Sequence, residues 1–272
     1  MINFILENFD TIFKNKTSLE TLDKVILDLA IKGKLVEQNQ DDEPASELIK
    51  RIKAEKQRLI DEKVIKKEKP LPPIEEEEIP FDIPNNWEWV RLGEIGNWGS
   101  GATPSRTRAE FYINGTIPWL KTGELNDGYI NNSEEKVTEL ALKETSLRLC
   151  KKDDVLIAMY GATIGKLGIL EIEATTNQAC CACTVYNGIY NKFLFLYLLS
   201  RRDYLKNQGV GGAQPNISKE KIVKMLFTLP PIEEQKRIVS KVESLMKICD
   251  LLEEKITLNE KISDKLLESL TK

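Results

Sequence analysis

The sequence predicts an α+β fold: one mixed α/β globule flanked by helices, of which the last is long. Three observations carry this. All four tryptophans, Trp87, Trp89, Trp98 and Trp119, fall between residues 85 and 229, where short β-like runs alternate with turn signals. Five prolines (Pro70, Pro72, Pro73, Pro80 and Pro84) crowd the stretch just before, which rules out helix there and favours an extended connector. After Pro231, the residues Ile238, Val242, Leu245, Cys249, Leu252 and Ile256 step by four and three, the a/d seam of a coiled coil. Four segments follow: 1–40, a first helix; 41–84, a charged helix and proline-rich linker; 85–229, the globule; and 230–272, the long helix.

In chain order, Thr17 and Glu20 have capping-box spacing, and Leu19, Leu22, Val25, Ile26 and Leu29 form one apolar stripe that stops at Gly33. A helix of about four turns is marginal alone, so the stripe needs a partner. Next, Asp41 or Asp42 can cap a helix with Pro44 in its first turn. Its apolar stripe, Leu48, Ile52 and Leu59, is thin, which predicts a solvated helix held by i,i+4 charge pairs rather than a binding arm. Within the globule, "WEWVRLGEI", "TIPWLKTGEL", "DVLIAMYGATIGKLGIL" and "ACCACTVYN" read as strands with turns. "NKFLFLYLLSRRDYLKNQ" reads as one buried helix, and "SKEKIVKMLF" as a shorter helix capped by Ser218. From Pro231 onward a single helix would reach roughly 60 Å at ~1.5 Å per residue. Asn259 and Ser263 continue its seam with polar residues, and Leu266 and Leu270 restore it. Only the first helix or a second copy of the chain could match that length.

Composition excludes several chemistries. The 272 residues contain no histidine, so Ser-His-Asp and Cys-His pairs, His-ligated zinc and a His base are absent. The net charge of −4 argues against coating nucleic acid through bulk positive charge, though not against a local basic face. Five cysteines, with no export signal and no apolar run near the ~18 residues of a membrane span, point to reduced thiols and a cytoplasmic setting without a membrane role. "YGATIGKLG" is one residue short of a phosphate loop and has Leu167 where Ser or Thr is needed, so it reads as a strand-loop-strand with Lys166 exposed. Cys180 and Cys183 form a CxxC without a second pair, so "CCAC" reads as a buried strand and no metal site is expected. Glu234 and Lys236 resemble a nuclease ExK but open a helix, and both double prolines read "LPPI" rather than the Asn/Asp-Pro-Pro-Tyr/Phe of an amino-methyltransferase. No catalytic residues are therefore assigned.

The loops of the globule are better suited to touching DNA. "GSGATPSRTRAEFY" supplies Thr103, Ser105, Arg106 and Arg108; "WLKTGEL" supplies Lys121 and Thr122. "YGATIGK" supplies Tyr160 and Lys166, and "GGAQPNIS" supplies Gln214 and Asn216. Arg matches guanine O6/N7 and Gln or Asn matches adenine N6/N7 bidentately, while hydroxyls, Lys and glycine amides suit phosphates.

The series "LDLAIKGKLV", "EKPLPPIEEEEIPFDIPNNWEWVRLGEI", "GATPSR", "IPWLKTGEL", "GATIGKLGI", "TNQA", "GGAQPNIS" and "LPPIEEQKRIVSKVESLMKICDLLEEKI" resembles, over nearly the whole chain, the specificity subunit of type I restriction–modification enzymes. The resemblance implies a target recognition domain at 85–229 that reads half of a split site in double-stranded DNA. It also implies helices forming an antiparallel coiled-coil spacer that docks methyltransferase subunits. AdoMet would sit on those subunits, and ATP and Mg²⁺ on a restriction and motor subunit; this chain would bind no cofactor. Family members usually carry two recognition domains and this chain has room for one. It therefore looks like a half-subunit that pairs with a second copy, or with another half-subunit, through residues 18–33 and 230–272. Leu22, Ile26, Leu29, Ile238, Val242, Leu245, Cys249, Leu252 and Ile256 would form that pairing. Two competing readings are a non-catalytic coiled-coil adaptor whose globule binds protein, and a stand-alone enzyme.

Overall fold

A computed structural model describes residues 16–209 and 216–270. Helix α1 spans Lys16–Ile31 and ends as its sequence dictates: Gly33 adopts φ +66°, and the Lys34 amide donates back to the Leu29 carbonyl at 2.9 Å. A Cβ at Gly33 would overlap Pro84, so the glycine is needed both for its φ and for the approach of the linker. Helix α2 spans Ala45–Asp61.

Ten strands follow: β1 Glu88–Arg91, β2 Gly96–Ser100, β3 Ile117–Leu120, β4 Gly128–Ile130, β5 Glu135–Val137, β6 Val155–Ala158, β7 Leu167–Leu170, β8 Thr175–Thr176, β9 Cys180–Val185 and β10 Leu226–Leu229. The helices among them are α3 Glu139–Glu144, α4 Asn191–Ser200, α5 Arg202–Asn207 and α6 Lys219–Lys224; α7, Ile232–Leu270, closes the described chain. The central sheet has five strands in the order β2-β9-β6-β7-β4, antiparallel except where β4 runs parallel to β7. A three-stranded sheet, β5-β3-β8, lies apart from it, and β1 with β10 makes an antiparallel ribbon.

The central sheet is buried on both faces, and the period of two sorts its side chains. Val155, Ile157, Cys181 and Cys183 join the main core, while Leu156, Ala158, Cys180 and Ala182 join a second core with Leu120 and Leu125. The main core also takes Ile26 and Ala30 from α1, Leu48 and Ile52 from α2, Phe193 and Tyr197 from α4, and Ile238 and Val242 from α7.

Four expectations change. First, α2 is not a solvated rod: Ala45, Leu48 and Ile52 are buried, and Glu55 accepts from the Asn187 amide at 2.8 Å. Its stripe is thin because it fills one groove, and Gly188 leaves the room that Leu48 occupies. Second, the proline segment is extended but strapped down. Arg91, 3% exposed, donates to the carbonyls of Pro72 (2.8 Å), Pro73 (2.6 Å) and Lys224 (2.6 Å) and pairs with Glu78 at 2.7 Å. Third, the predicted long helix breaks at Arg201, next to Ser200, whose hydroxyl bonds back to the Tyr197 carbonyl at 2.6 Å. Fourth, Ser218 caps α6, accepting from the Lys221 amide, but the helix stops at Lys224 because Leu226–Leu229 pairs with β1.

The fate of the heptad seam matters most. Asp23 of α1 hydrogen-bonds Cys249, Gln38 donates to Glu234 at 2.5 Å, and Asp42 pairs with Arg237 at 2.5 Å. Asp23 within α1 thus meets the middle of α7, while Gln38 and Asp42, past the end of α1, meet its first turns, so the two run antiparallel within one chain. Ile26, Ile238, Val242 and Cys249 are buried in that pairing, and Leu22, Leu29 and Leu245 pack against the same core. These residues meet inside the chain rather than between copies, because α1 is the nearest apolar stripe. Leu252 and Ile256 remain half-buried, and beyond them Leu258 and Ile262 are 57% and 48% exposed.

Candidate nucleic-acid interface

Register places the loops. Ser100 pairs with Cys181, Ala158 with Cys180, Ile157 with Leu167, and Gly128 with Gly168. The end of β2, the end of β6 and the starts of β4, β7 and β9 therefore share one edge of the central sheet. Loops 101–108, 121–127, 159–166 and 176–179 all emerge there. Residues 216–218 join them through a bridge between Tyr160 and Asn216 and a 2.9 Å bond from the Ile217 amide to the Met159 carbonyl.

Backbone contacts lock the loops together. The Gly101 and Ala102 amides donate to the carbonyls of Cys180 (3.0 Å) and Thr176 (2.9 Å), the Asn177 amide to Leu120 (2.9 Å), and the Met159 amide to Ala179 (2.8 Å). A Cβ at Gly101 would overlap the Thr176 carbonyl, which is why this loop opens on glycine. The hydroxyl of Thr103 donates to Gln178.

Three cations on this edge, Arg106, Arg108 and Lys121, are already engaged. Arg106 lies over Tyr112 and Trp119, 4.4 and 5.0 Å from their centroids, and pairs with Glu135 at 2.6 Å. Arg108 lies 4.0 Å over Phe111 and pairs with Glu110 and Glu144 at 2.8 and 2.7 Å. Lys121 reaches Glu135 at 3.1 Å and Glu134 at 3.4 Å. Donating to Glu135 raises the pKa of both Arg106 and Lys121, and accepting from Arg106 lowers that of Glu135. Stacking on aromatic rings fixes each guanidinium plane, while the carboxylates stay partly solvated and exchangeable.

The remaining expected residues divide in three. Ser105, whose hydroxyl meets that of Thr107 at 2.8 Å, is exposed with Lys166 and Asn216, and Lys166 has no carboxylate partner among the described residues. Thr122 begins a 3-10 turn and Tyr160 is half-buried against the core. Gln214 lies outside the described residues.

Two residues that the sequence reading passed over organise the edge. Arg202, at the start of α5, donates to Asp127 at 2.5 Å and to the Gly165 carbonyl at 2.9 Å, while the same Asp127 oxygen accepts from the Leu167 amide at 2.9 Å. This clamp holds the turn that carries Lys166. The "NDG" turn, with Asp127 at φ +62°, was the available signal; the partnership with Arg202 had none. In the "TNQA" loop the side-chain oxygen of Asn177 is buried with no hydrogen-bond partner among the described residues.

Behind the edge, α6 and β10 lead directly into α7, whose first turn is pinned by buried polar groups. Trp87 Nε1 donates to Glu234 at 2.9 Å. Gln235 donates to the carbonyls of Gly188 (3.1 Å) and Pro230 (3.0 Å) and accepts from the Tyr190 amide at 2.7 Å. The "EEQK" stretch is thus an anchor for the helix. The CxxC is a buried strand as read: burial pushes the Cys181 thiol up to about 12 and Cys180 and Cys183 well above their ordinary value, which leaves them unreactive. Among the described residues no cluster of His, Cys, Asp or Glu could hold a metal ion, and no helix is long and apolar enough to cross a membrane.

A family model described as the type I restriction modification DNA specificity domain matches residues 84–262. The chain is 34% identical over 261 residues to the type I restriction enzyme EcoAI specificity subunit of Escherichia coli, covering 91% of this chain and 43% of that one. It is 32% identical over 279 residues to the EcoEI specificity subunit of the same organism, covering 98% and 47%. It therefore spans less than half the length of these curated relatives. In fold it is similar to the HsdS subunit of Thermoanaerobacter tengcongensis, with a TM-score of 0.53 and 18% identity over 88% of this chain and 51% of that one. It is likewise similar to a chain from a structural study of assembly and conformational transition in the type I R-M system, with a TM-score of 0.57 and 18% identity over 92% and 55%. The family match over residues 84–262 and the 34% and 32% identities over nearly the whole chain lead to one statement: the chain belongs to the type I restriction modification DNA specificity family.

Proposed function

We propose that this chain is a non-catalytic specificity subunit that reads one half of a bipartite site in double-stranded DNA. One observation carries the proposal: five loops gathered at a single sheet edge are joined through α6 and β10 to the pinned base of α7. Arg106, Arg108, Lys121, Lys166 and Asn216 supply donors suited to base edges and phosphates. The half of α7 beyond α1, with Leu258 and Ile262 exposed, is the surface on which a second copy or another half-subunit pairs. A self-paired, two-fold assembly reads an interrupted palindrome. The helices dock methyltransferase subunits, which bring AdoMet, and through them a restriction and motor subunit with ATP and Mg²⁺, all in the cytoplasm.

The test is light scattering on the chain alone and mixed with its methyltransferase subunit, followed by enrichment from a random duplex pool. The expected result is a dimer that recruits two methyltransferase copies and enriches a split, symmetric site. A monomer that recruits nothing overturns the pairing. Binding to a protein partner that is insensitive to salt, with no duplex binding, overturns the DNA reading in favour of an adaptor.

A further inference from the structure

The segment "KVIKKEK", residues 63–69, places four lysines within seven residues. It closes α2 with a built turn. Lys63 takes φ +58°, and the amides of Val64 and Ile65 both return to the Leu59 carbonyl, at 2.9 and 3.2 Å. Lys63, Lys66, Lys67 and Lys69 are exposed, and among the described residues none has a carboxylate partner. The one acid in the run, Glu68, is spent elsewhere: it pairs with Lys219 at 2.8 Å.

That ion pair gives the loop its address. Lys219 is the first residue of α6, one position after the cap Ser218 and three after Asn216 on the recognition edge. Downstream, Leu71 packs where Gly93 leaves room beside Val223 of α6, and Arg91 ties Pro72 and Pro73 to the Lys224 end of the same helix. The chain from Glu68 to Pro73 therefore follows α6 from its first residue to its last. The lysine run is fixed beside the helix end that adjoins the recognition edge.

The contrast in charge state is informative. At the edge, Arg106, Arg108 and Lys121 each carry a carboxylate that a ligand must displace, whereas the lysines of the loop carry none. Free ammonium groups on flexible stems are point charges without base-reading geometry, suited to phosphate. We propose that the Lys63–Lys69 loop contacts the sugar-phosphate backbone of the duplex flanking the half-site, adding affinity without sequence preference. The inference rests on the DNA reading above.

The experiment uses the full chain and a fluorescein-labelled duplex of mixed sequence, ~40 base pairs, titrated by anisotropy from ~50 to ~300 mM KCl. The variant is Lys63→Gln, Lys66→Gln, Lys67→Gln and Lys69→Gln combined. The control is Lys151→Gln with Lys152→Gln, just before β6 at the opposite edge of the sheet. The slope of log K against log salt falls by about 2–4 in the quadruple variant, at ~0.9 per phosphate contact, and stays unchanged in the control. The sequence enriched from a random pool is the same for all three proteins. Steep parental binding with an unaltered slope in the quadruple variant overturns the inference and leaves the DNA reading standing. A changed enriched sequence overturns it as well, since the loop would then read bases. A parent with no salt-dependent duplex binding overturns the DNA reading itself.

Discussion

The loop edge of the central sheet and the base of α7 use the same kinds of side chain in opposite solvent. At the base, Glu234 and Gln235 are buried, as is Arg91 beneath the proline strap, and each is satisfied by named partners. At the edge, Arg106 is exposed, Arg108 and Lys121 are half-buried, and all three are held by partly solvated carboxylates. A desolvated polar network is costly to leave half-made, so it fixes one geometry. Solvated ion pairs contribute little to stability, so their partners can be exchanged for a base edge or a phosphate. The first arrangement suits what must not move, and the second suits what must change hands.

The sharpest way to break this comparison is at Trp87, which packs edge-on against Phe193 at 6.4 Å and donates to Glu234. Trp87→Ala is expected to cost about 3–5 kcal/mol in urea unfolding, from lost packing and an orphaned carboxylate. A loss below ~1 kcal/mol would remove the base of α7 as a stability element. Next, Arg91→Ala leaves three backbone carbonyls without their donor and is expected to cost about 3 kcal/mol. It should also expose residues 62–86 to protease; an unchanged cleavage pattern would show that the strap is held by other contacts.

At the edge the expected effects move from folding to binding. Arg106→Ala should weaken binding by ~1–3 kcal/mol and relax one base position, with little change in unfolding. Lys166→Ala should instead weaken all duplexes alike. Enrichment profiles of the two variants separate these outcomes, and identical profiles would merge their roles. The smallest expected effect is one of pH. Burial raises the pKa of Glu234, although hydrogen bonds from Trp87 and Gln38 pull it down. Its contribution to stability is complete below the ordinary carboxylate range, near ~4, and is lost as pH rises through the raised value. Glu234→Gln, with the Gln38 amide turned to meet it, should therefore gain on the parent as pH rises above the ordinary carboxylate range. A gap independent of pH would mean that Glu234 does not titrate in this window.

Much of this was legible in sequence, and what was not has a common physical cause. The seam of α7, the stop at Gly33, the cap at Ser218 and the buried "CCAC" strand are local patterns, readable from spacing and residue type. The partner of the seam is not local: nothing in Ile238 or Val242 says whether α1 of the same chain or of another will cover them. Similarly, the thin stripe of α2 concealed a docked helix, because Leu48 and Ile52 suffice when Gly188 makes the groove. The loops of the sheet edge were visible as polar, glycine-bearing runs. The carboxylates that occupy them were not: Glu135 lies 29 positions from Arg106 and Glu144 lies 36 from Arg108, so only the folded sheet brings them together.

The buried anchors at Glu234 and Gln235 can also be considered as a matter of leverage. Helix α7 has 39 residues, about 58 Å at ~1.5 Å per residue. A tilt of ~5° at its first turn would swing the far end by about 5 Å, more than the ~3.4 Å rise of one base step. Any partner gripping that far end would be displaced by the same distance. The hydrogen bonds at Glu234 and Gln235, with the α1 packing that continues to Cys249, therefore set the positional tolerance of a helix end tens of ångströms away.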